Sequence, residues 1–312
     1  MAESSLDYNF SLARKSQALQ ARAKLIQSIR LFFIHHGFLE IETPLRIPSP
    51  APEEQIEAIP SGNWFLQTSP ELCMKRLLAA GYQLIFQISK CFRDAERGNK
   101  HLPEFTMLEW YAAGFDYHQI MDQCEEMLIT AFKDMGHNQY IVWQNKKINL
   151  ASPWERITVA DAFLKYAPVT LEEALVQDKF DNILVDHIEP QLGINRPTFI
   201  YDYPAKLAAL AKIKMNDPTV AERFELYIGG LELANGFSEL IDANEQRQRF
   251  EEASKARTRK NWARYFMPEK FLQALQAMPP CAGIALGIDR MVMIMADARQ
   301  IDDVVAFTPE ML

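Results

Sequence analysis

Residues 91–111 read CFRDAERGNKHLPEFTMLEWY, and this stretch decides the architecture. From Glu104 onward the side chains alternate, so Phe105, Met107, Glu109 and Tyr111 share one face of an extended segment. The preceding segment, 83–93, alternates in the same way and puts Gln87, Ser89, Cys91 and Arg93 on a common face. A polar turn joins the two, which predicts a long antiparallel hairpin over 83–93 and 104–112. Period two fixes which residues can meet: polar and ionisable side chains of both strands are brought to one surface.

Working outward, Tyr117, Ile120, Met121, Cys124, Leu128 and Phe132 recur at helical spacing and Gly136 follows, predicting a helix over 117–132 that covers the sheet. On the other side, Ser69, Pro70 and Glu71 read as an N-cap, a proline in the first turn and an acid at the positive helix end, opening a helix toward Gly81. A first helix is expected over 12–36, with Leu19, Ala23, Ile26, Ile29 and Phe33 forming its stripe and Gly37 its stop; a strand over 38–43 follows. Pro48, Pro50, Pro52 and Pro60 mark a loop, and 64–67 is extended. Gly229-Gly230 between 223–228 and 231–240 predicts a tight hairpin. Asp242 with Glu245 predicts a capping box for a helix through Lys260, and the small apolar run 283–287 a buried strand leading into a helix from Ile288. The sum is an α+β fold, an antiparallel sheet flanked by helices, in a single domain spanning 1–312.

Composition narrows the classes. Lys and Arg number 33 against 41 Asp and Glu, a formal charge of −8, which argues against a general nucleic-acid binder. Hydrophobic residues make up 48%, enough for a sizeable core and too many for wholesale disorder. Cys73, Cys91, Cys124 and Cys281 show no zinc or disulfide spacing. The N-terminus, MAESSLDYNFSLARK, lacks a signal peptide's apolar core, and no run is long enough to span a membrane. A cytoplasmic location, away from membranes, is the expectation.

Three segments, FLEIETPLR at 38–46, the 91–111 stretch, and GIALGIDR at 283–290, resemble the three signature motifs of class II aminoacyl-tRNA synthetases. TSPELCMKRLLAAGY at 68–82 and ELYIGGLELANGFSEL at 225–240 resemble substrate-pocket segments of the lysyl branch. The anticodon-binding OB domain of that branch has no counterpart in this sequence. The architecture is therefore similar to the elongation factor P (R)-β-lysine ligase family, stand-alone paralogues that attach β-lysine to a lysine of the translation factor; FTMLEWY, LELANGF and VVAFTPE fit that subfamily.

The resemblance implies ATP as co-substrate with Mg²⁺, (R)-β-lysine and elongation factor P as substrates, protein rather than tRNA as acceptor, and a homodimer built on the first helix. It also implies roles for residues. Arg93 bridges the substrate carboxylate and the α-phosphate, and Arg290 holds the γ-phosphate end. Glu232 and Glu239 bind Mg²⁺, with Glu232 also counted as catalytic. Phe105 stacks on adenine, and Asp94, Ala95, Glu96, His101, Leu102, Leu233 and Gly287 complete the ATP site. Glu109 and Tyr111 read the distal ammonium, joined by Glu239. Ser69, Pro70 and Glu71 meet the other amino group, and Ala285, where the synthetases carry Gly, trims the pocket. Two departures from the family pattern stand out: Ala95 cannot serve as a carboxylate, and Leu102 replaces an ATP-contacting amide. Two alternatives remain open at this point, a lysine-adenylating enzyme with another acceptor and a non-catalytic, synthetase-derived binding module.

Overall fold

The computed structural model describes residues 12–312; the N-terminal segment read for a signal peptide lies, through residue 11, outside the described residues. The first helix, α1 (Ser16–His35), stops at Gly37, whose φ of 77° suits glycine. Only Leu39–Glu40 of the expected strand pair as β1, after which β2 (Arg46–Ile47), β3 (Pro60–Ser61) and β4 (Trp64–Leu66) form a small separate sheet. Helix α2 (Glu71–Ala79) begins where Ser69 Oγ accepts the Glu71 N–H at 3.2 Å and the Pro70 carbonyl accepts from Cys73 and Met74. The decisive hairpin is β5 (Leu84–Phe92) and β6 (Glu104–Ala113). Helix α3 (Tyr117–Asp134) opens with a capping box in which Asp116 and Gln119 satisfy each other's backbone N–H groups.

Residues 137–200, which no motif reaches, hold a two-stranded ribbon, β7 (Tyr140–Trp143) and β8 (Lys146–Asn149), then strand β9 (Glu155–Thr158). Short helices α4 (Val159–Tyr166), α5 (Leu171–Val176) and α6 (Phe180–Ile183) follow, packed around Phe163, Phe180 and Ile188. Strand β10 (Thr198–Pro204) leads to the hairpin β11 (Val220–Ile228) and β12 (Leu231–Ser238), whose Gly229 and Gly230 both have positive φ, as a tight turn of that hand requires. Helix α7 (Ala243–Arg259) is capped by Asp242, but Glu245 does not return the bond: its carboxylate pairs with Arg249 one turn on, so the expected capping box is only half made. Helix α8 (Glu269–Leu275), strand β13 (Cys281–Gly287) and helix α9 (Ile288–Met295) complete the path.

Eight strands join in the order β1-β5-β6-β13-β12-β11-β10-β9. The six inner strands pair antiparallel, as the expected antiparallel sheet requires, whereas β1 and β9 add in parallel at the two edges. The reason is connection length: β1 reaches β5 through the small sheet and α2, and β9 reaches β10 through α4–α6, and such crossovers return a strand in the same direction. Helices α1, α3 and α9 bury one face of the sheet in a core containing Phe33, Phe86, Trp110 and Met291. On the opposite face α2, α7 and α8 pack around Met74, Phe250 and Phe271 and leave a cavity over the sheet.

Candidate active site

The cavity measures about 850 Å³, and its floor is built by strand register. Gln87, Glu109, Ala285, Asn235 and Glu225 lie side by side across β5, β6, β13, β12 and β11, forming one row, and Ile85, Tyr111, Gly283, Phe237 and Arg223 form the next; the members on β6, β13, β12 and β11 line the cavity. Alternation along 83–93 and 104–112 thus predicted the correct face for both strands. Along β12 the alternation breaks: a register shift between Leu226 and Tyr227 makes Leu233 an extra residue, a β-bulge. Leu231, Leu233 and Ala234 then pack into the core, with Leu233 and Ala234 also touching the cavity, while Glu232, Asn235 and Phe237 line it.

At one end of the floor carboxylates gather. Glu109 is 2% exposed and accepts the Tyr111 hydroxyl at 3.0 Å. Burial, with Glu71 adding to it, pushes Glu109 up to about 8. Lys75 of α2, fully buried, pairs with Glu71 at 2.5 Å and with Glu239. Burial opposes the ammonium, but the two carboxylates outweigh it and hold Lys75 above the ordinary lysine range. Burial raises Glu239 to about 8 against the pull of Lys75. One ammonium therefore pairs with two of the three carboxylates, and Glu109 is left with the Tyr111 hydroxyl. Gly283 is needed here for space rather than for φ: a Cβ would lie 2.2 Å from the Tyr111 ring and 2.7 Å from Glu239 Oε1.

At the other end cations and aromatics meet. Arg93 stands over the Phe105 ring at 5.1 Å, lies 3.7 Å from Glu96, and its buried Nε has no partner among the described residues. Arg290 of α9 donates to the Glu232 carbonyl at 2.9 Å and carboxylate at 3.2 Å, and its Nη2 lies 2.5 Å from His101 Nε2. Burial and the Arg290 charge depress His101, and because a guanidinium can only donate, His101 Nε2 is the acceptor in that contact. Neighbouring Asp289 is buried between Arg22 of α1, at 2.5 Å, and the Thr106 N–H, which fixes α9 against the hairpin.

The remaining expected residues take varied places. Ser69 and Glu71 line the cavity, while Pro70 is buried behind them. Asp94 and Ala95 form an exposed turn in which Ala95 has a φ of 58° and its N–H is accepted by Asp94 Oδ1. Leu102 is 3% exposed, in the core at the cavity wall. Gly287 caps α9, and Ala285 faces the cavity between Glu109 and Asn235.

One pairing is corrected. Glu232 and Glu239 are not brought together: Glu239 is enclosed with Lys75 at the carboxylate end, while Glu232 sits with Arg290 at the far end. The carboxylate that does face Glu232 is Glu225, raised by burial and by that neighbour, and bonded by Tyr203, Tyr227, Arg223 and Asn235. The seven-residue spacing of Glu232 and Glu239 hides the bulge, whose one extra residue lets both reach the cavity face but at opposite ends.

Residues of the site that were given no role in the sequence are Lys75, Glu225 and Asn235, although they lie within the quoted motifs, and Arg223, which lies outside them. Arg223, Glu225 and Tyr227 alternate visibly in sequence, so their common face was legible. Lys75, four residues after Glu71, has the spacing of an ordinary surface pair and gave no sign of burial.

The family model for tRNA synthetases class II (D, K and N) matches residues 3–311. A protein of Proteus mirabilis named "Elongation factor P--(R)-beta-lysine ligase" is 39% identical over 307 residues, which cover 93% of this chain and 94% of that protein. Proteins with the same name from Histophilus somni and Haemophilus influenzae are 38% and 40% identical, over 97% and 93% of this chain and 98% and 94% of theirs. With the sheet, the two-ended cavity and these relatives in hand, the chain belongs to the class II tRNA synthetase family (D, K and N), in the branch of the elongation factor P (R)-β-lysine ligases.

Proposed function

We propose that this protein is an ATP-dependent ligase that activates (R)-β-lysine as its adenylate and transfers it to the ε-amino group of a lysine on elongation factor P. The observation that carries the reading is the gathering of Glu71, Glu109 and Glu239 at one end of the cavity, where Lys75 pairs with Glu71 and Glu239 and leaves buried Glu109 with the Tyr111 hydroxyl. Buried carboxylates short of counter-charge favour a cationic ligand, and a diamino acid supplies one ammonium for this end and a second nearer its carboxylate.

In the first step a carboxylate oxygen of the amino acid attacks the α-phosphorus of ATP, the bond to the bridging oxygen breaks, and pyrophosphate leaves. Arg93 has the unpartnered Nε needed to hold carboxylate and phosphate together, and Phe105 offers its ring to adenine. Arg290 steadies the phosphate tail from its seat on Glu232 and His101. In the second step the acceptor amine attacks the acyl carbon, the bond to AMP breaks, and the nitrogen gives up a proton. Asp94 and Ala95 shape the ATP-side turn, and Arg97 ties it to Asp302 and Glu310, each at 2.8 Å. The oxygen donors of Glu232, with Glu225 beside it, suit a hard cation; Mg²⁺ held there would neutralise phosphate charge. The net charge of −8 supports a protein acceptor over tRNA. Among the described residues no helix is long and apolar enough to cross a membrane, in keeping with a cytoplasmic reaction.

ATP–pyrophosphate exchange, run with (R)-β-lysine, with α-lysine and with no amino acid, tests the proposal. Exchange that depends on the amino acid and is strongest with (R)-β-lysine is expected; no exchange with any of them would favour a binding module instead.

A further inference from the structure

Between β2 and β3 the proline-rich loop passes over the amino-acid end of the cavity without regular structure, yet it is firmly held. Arg257 of α7 is wholly buried and donates to the carbonyls of Glu53 at 2.8 Å and Ile56 at 2.6 Å, and it pairs with Glu57 at 2.7 Å. The Ala58 N–H donates to the Tyr265 hydroxyl at 2.7 Å, and the Glu57 carbonyl accepts the Asp94 N–H at 2.8 Å. The backbone of this loop is thus fixed from behind.

The side chain of Glu53 contrasts with that anchoring. It lines the cavity and makes no hydrogen bond or ion pair among the described residues. The charges acting on it are those of Glu71 and, in the opposite sense, Arg93, Arg223 and Lys75. We propose that Glu53 is a specificity-determining residue that binds, together with Glu71, the amino group nearest the carboxylate of the amino-acid substrate. The assignment rests on the adenylation reading above. Arg93, the group suited to the substrate carboxylate, marks this end, while the distal ammonium belongs with Glu109, Tyr111 and Glu239. Glu71 already shares its charge with Lys75, so a second, free carboxylate is what an ammonium here requires. Burial and the Glu71 charge raise Glu53 to about 7, as expected of a carboxylate waiting for a cation.

Pyrophosphate exchange by the wild type, Glu53→Gln and Glu53→Asp, with (R)-β-lysine and with 6-aminohexanoic acid, provides the test. The second compound has the same chain and distal amine but lacks the amino group in question, and it serves as substrate or as competitive inhibitor. Glu53→Gln should raise KM for (R)-β-lysine about 10- to 100-fold, the scale of a lost charge-assisted hydrogen bond. It should leave KM for ATP and the constant for 6-aminohexanoic acid unchanged, while Glu53→Asp recovers part of the loss. Equal effects on both compounds, or none on either, overturn the assignment. A wild type that exchanges with neither lysine isomer overturns the adenylation reading and this assignment with it.

Discussion

Glu109 has one hydrogen-bond donor among the described residues, the Tyr111 hydroxyl, and sits at the centre of a buried floor. Raised to about 8 from an unfolded value near 4.5, it binds more protons in the folded than in the unfolded state between those values. Glu239, also raised to about 8, acts in the same sense. Stability of the free protein is therefore expected to fall as pH rises from about 4.5 through 8 on account of these groups, and to level off above. A bound ammonium removes that penalty, so binding of a diamino acid near pH 7 should release protons. Calorimetry in buffers of different ionisation enthalpy reads the release, and proton uptake would contradict it. Ala285, beside Glu109 in the same row, supports a second prediction. Its methyl crowds an α-amino group more than one a carbon farther from the carboxylate. Ala285→Gly should shift kcat/KM toward α-lysine relative to (R)-β-lysine by about 10- to 200-fold, the range of a methylene-scale change of fit. An unchanged ratio would assign Ala285 to packing alone.

Among the elements, those whose local chemistry agrees with their tertiary role were legible. The β5–β6 hairpin shows its alternation because one face is core and the other a half-polar cavity floor. Helix α3 shows its stripe because only one side meets the sheet, and α2 announces its start through Ser69 and Pro70. The edge strands were not legible as parallel, since direction there is set by crossovers over residues 41–83 and 159–197, and no local pattern encodes it. Helices α4–α6 are 8, 6 and 4 residues long, too short for a periodic stripe to emerge. Arginines and glutamates read from motif context, among them Arg93, Arg290, Glu71, Glu109 and Glu232, line the cavity, but the bulge at Leu233 could not be read, because a one-residue slip leaves no compositional trace. Glu53 lies in a loop without period; only the cavity reveals it.

For the molecule as a whole, the buried face of α1 is covered by its own chain but is rotated from the expected stripe: of Leu19, Ala23, Ile26, Ile29 and Phe33 only Ile29 and Phe33 are fully buried and Ala23 is exposed, while Leu25 and Phe32 join them against the sheet, α3 and α9. Apolar side chains remain on its other side, where Leu31 and Ile34 are 54% and 55% exposed and Leu39 is 49% exposed. A twofold homodimer is proposed through this surface rather than through the stripe. Light scattering should give about twice the 35.9 kDa of one chain, and replacing Leu31 and Ile34 by lysine should yield monomers; a wild-type monomer at micromolar concentration would refute the interface. The strand order carries a different consequence, for synthesis. Strand β13, made last, sits between β6 and β12, so a chain emerging from the ribosome holds two half-sheets, each with an open inner edge, until residues 281–287 appear. Neither half owns a complete row of the cavity floor, and the open edges are the surfaces that pair wrongly with other chains. The last strand thus closes the sheet and creates the pocket in one event, and a translation product that stops short of it is both inactive and prone to aggregate.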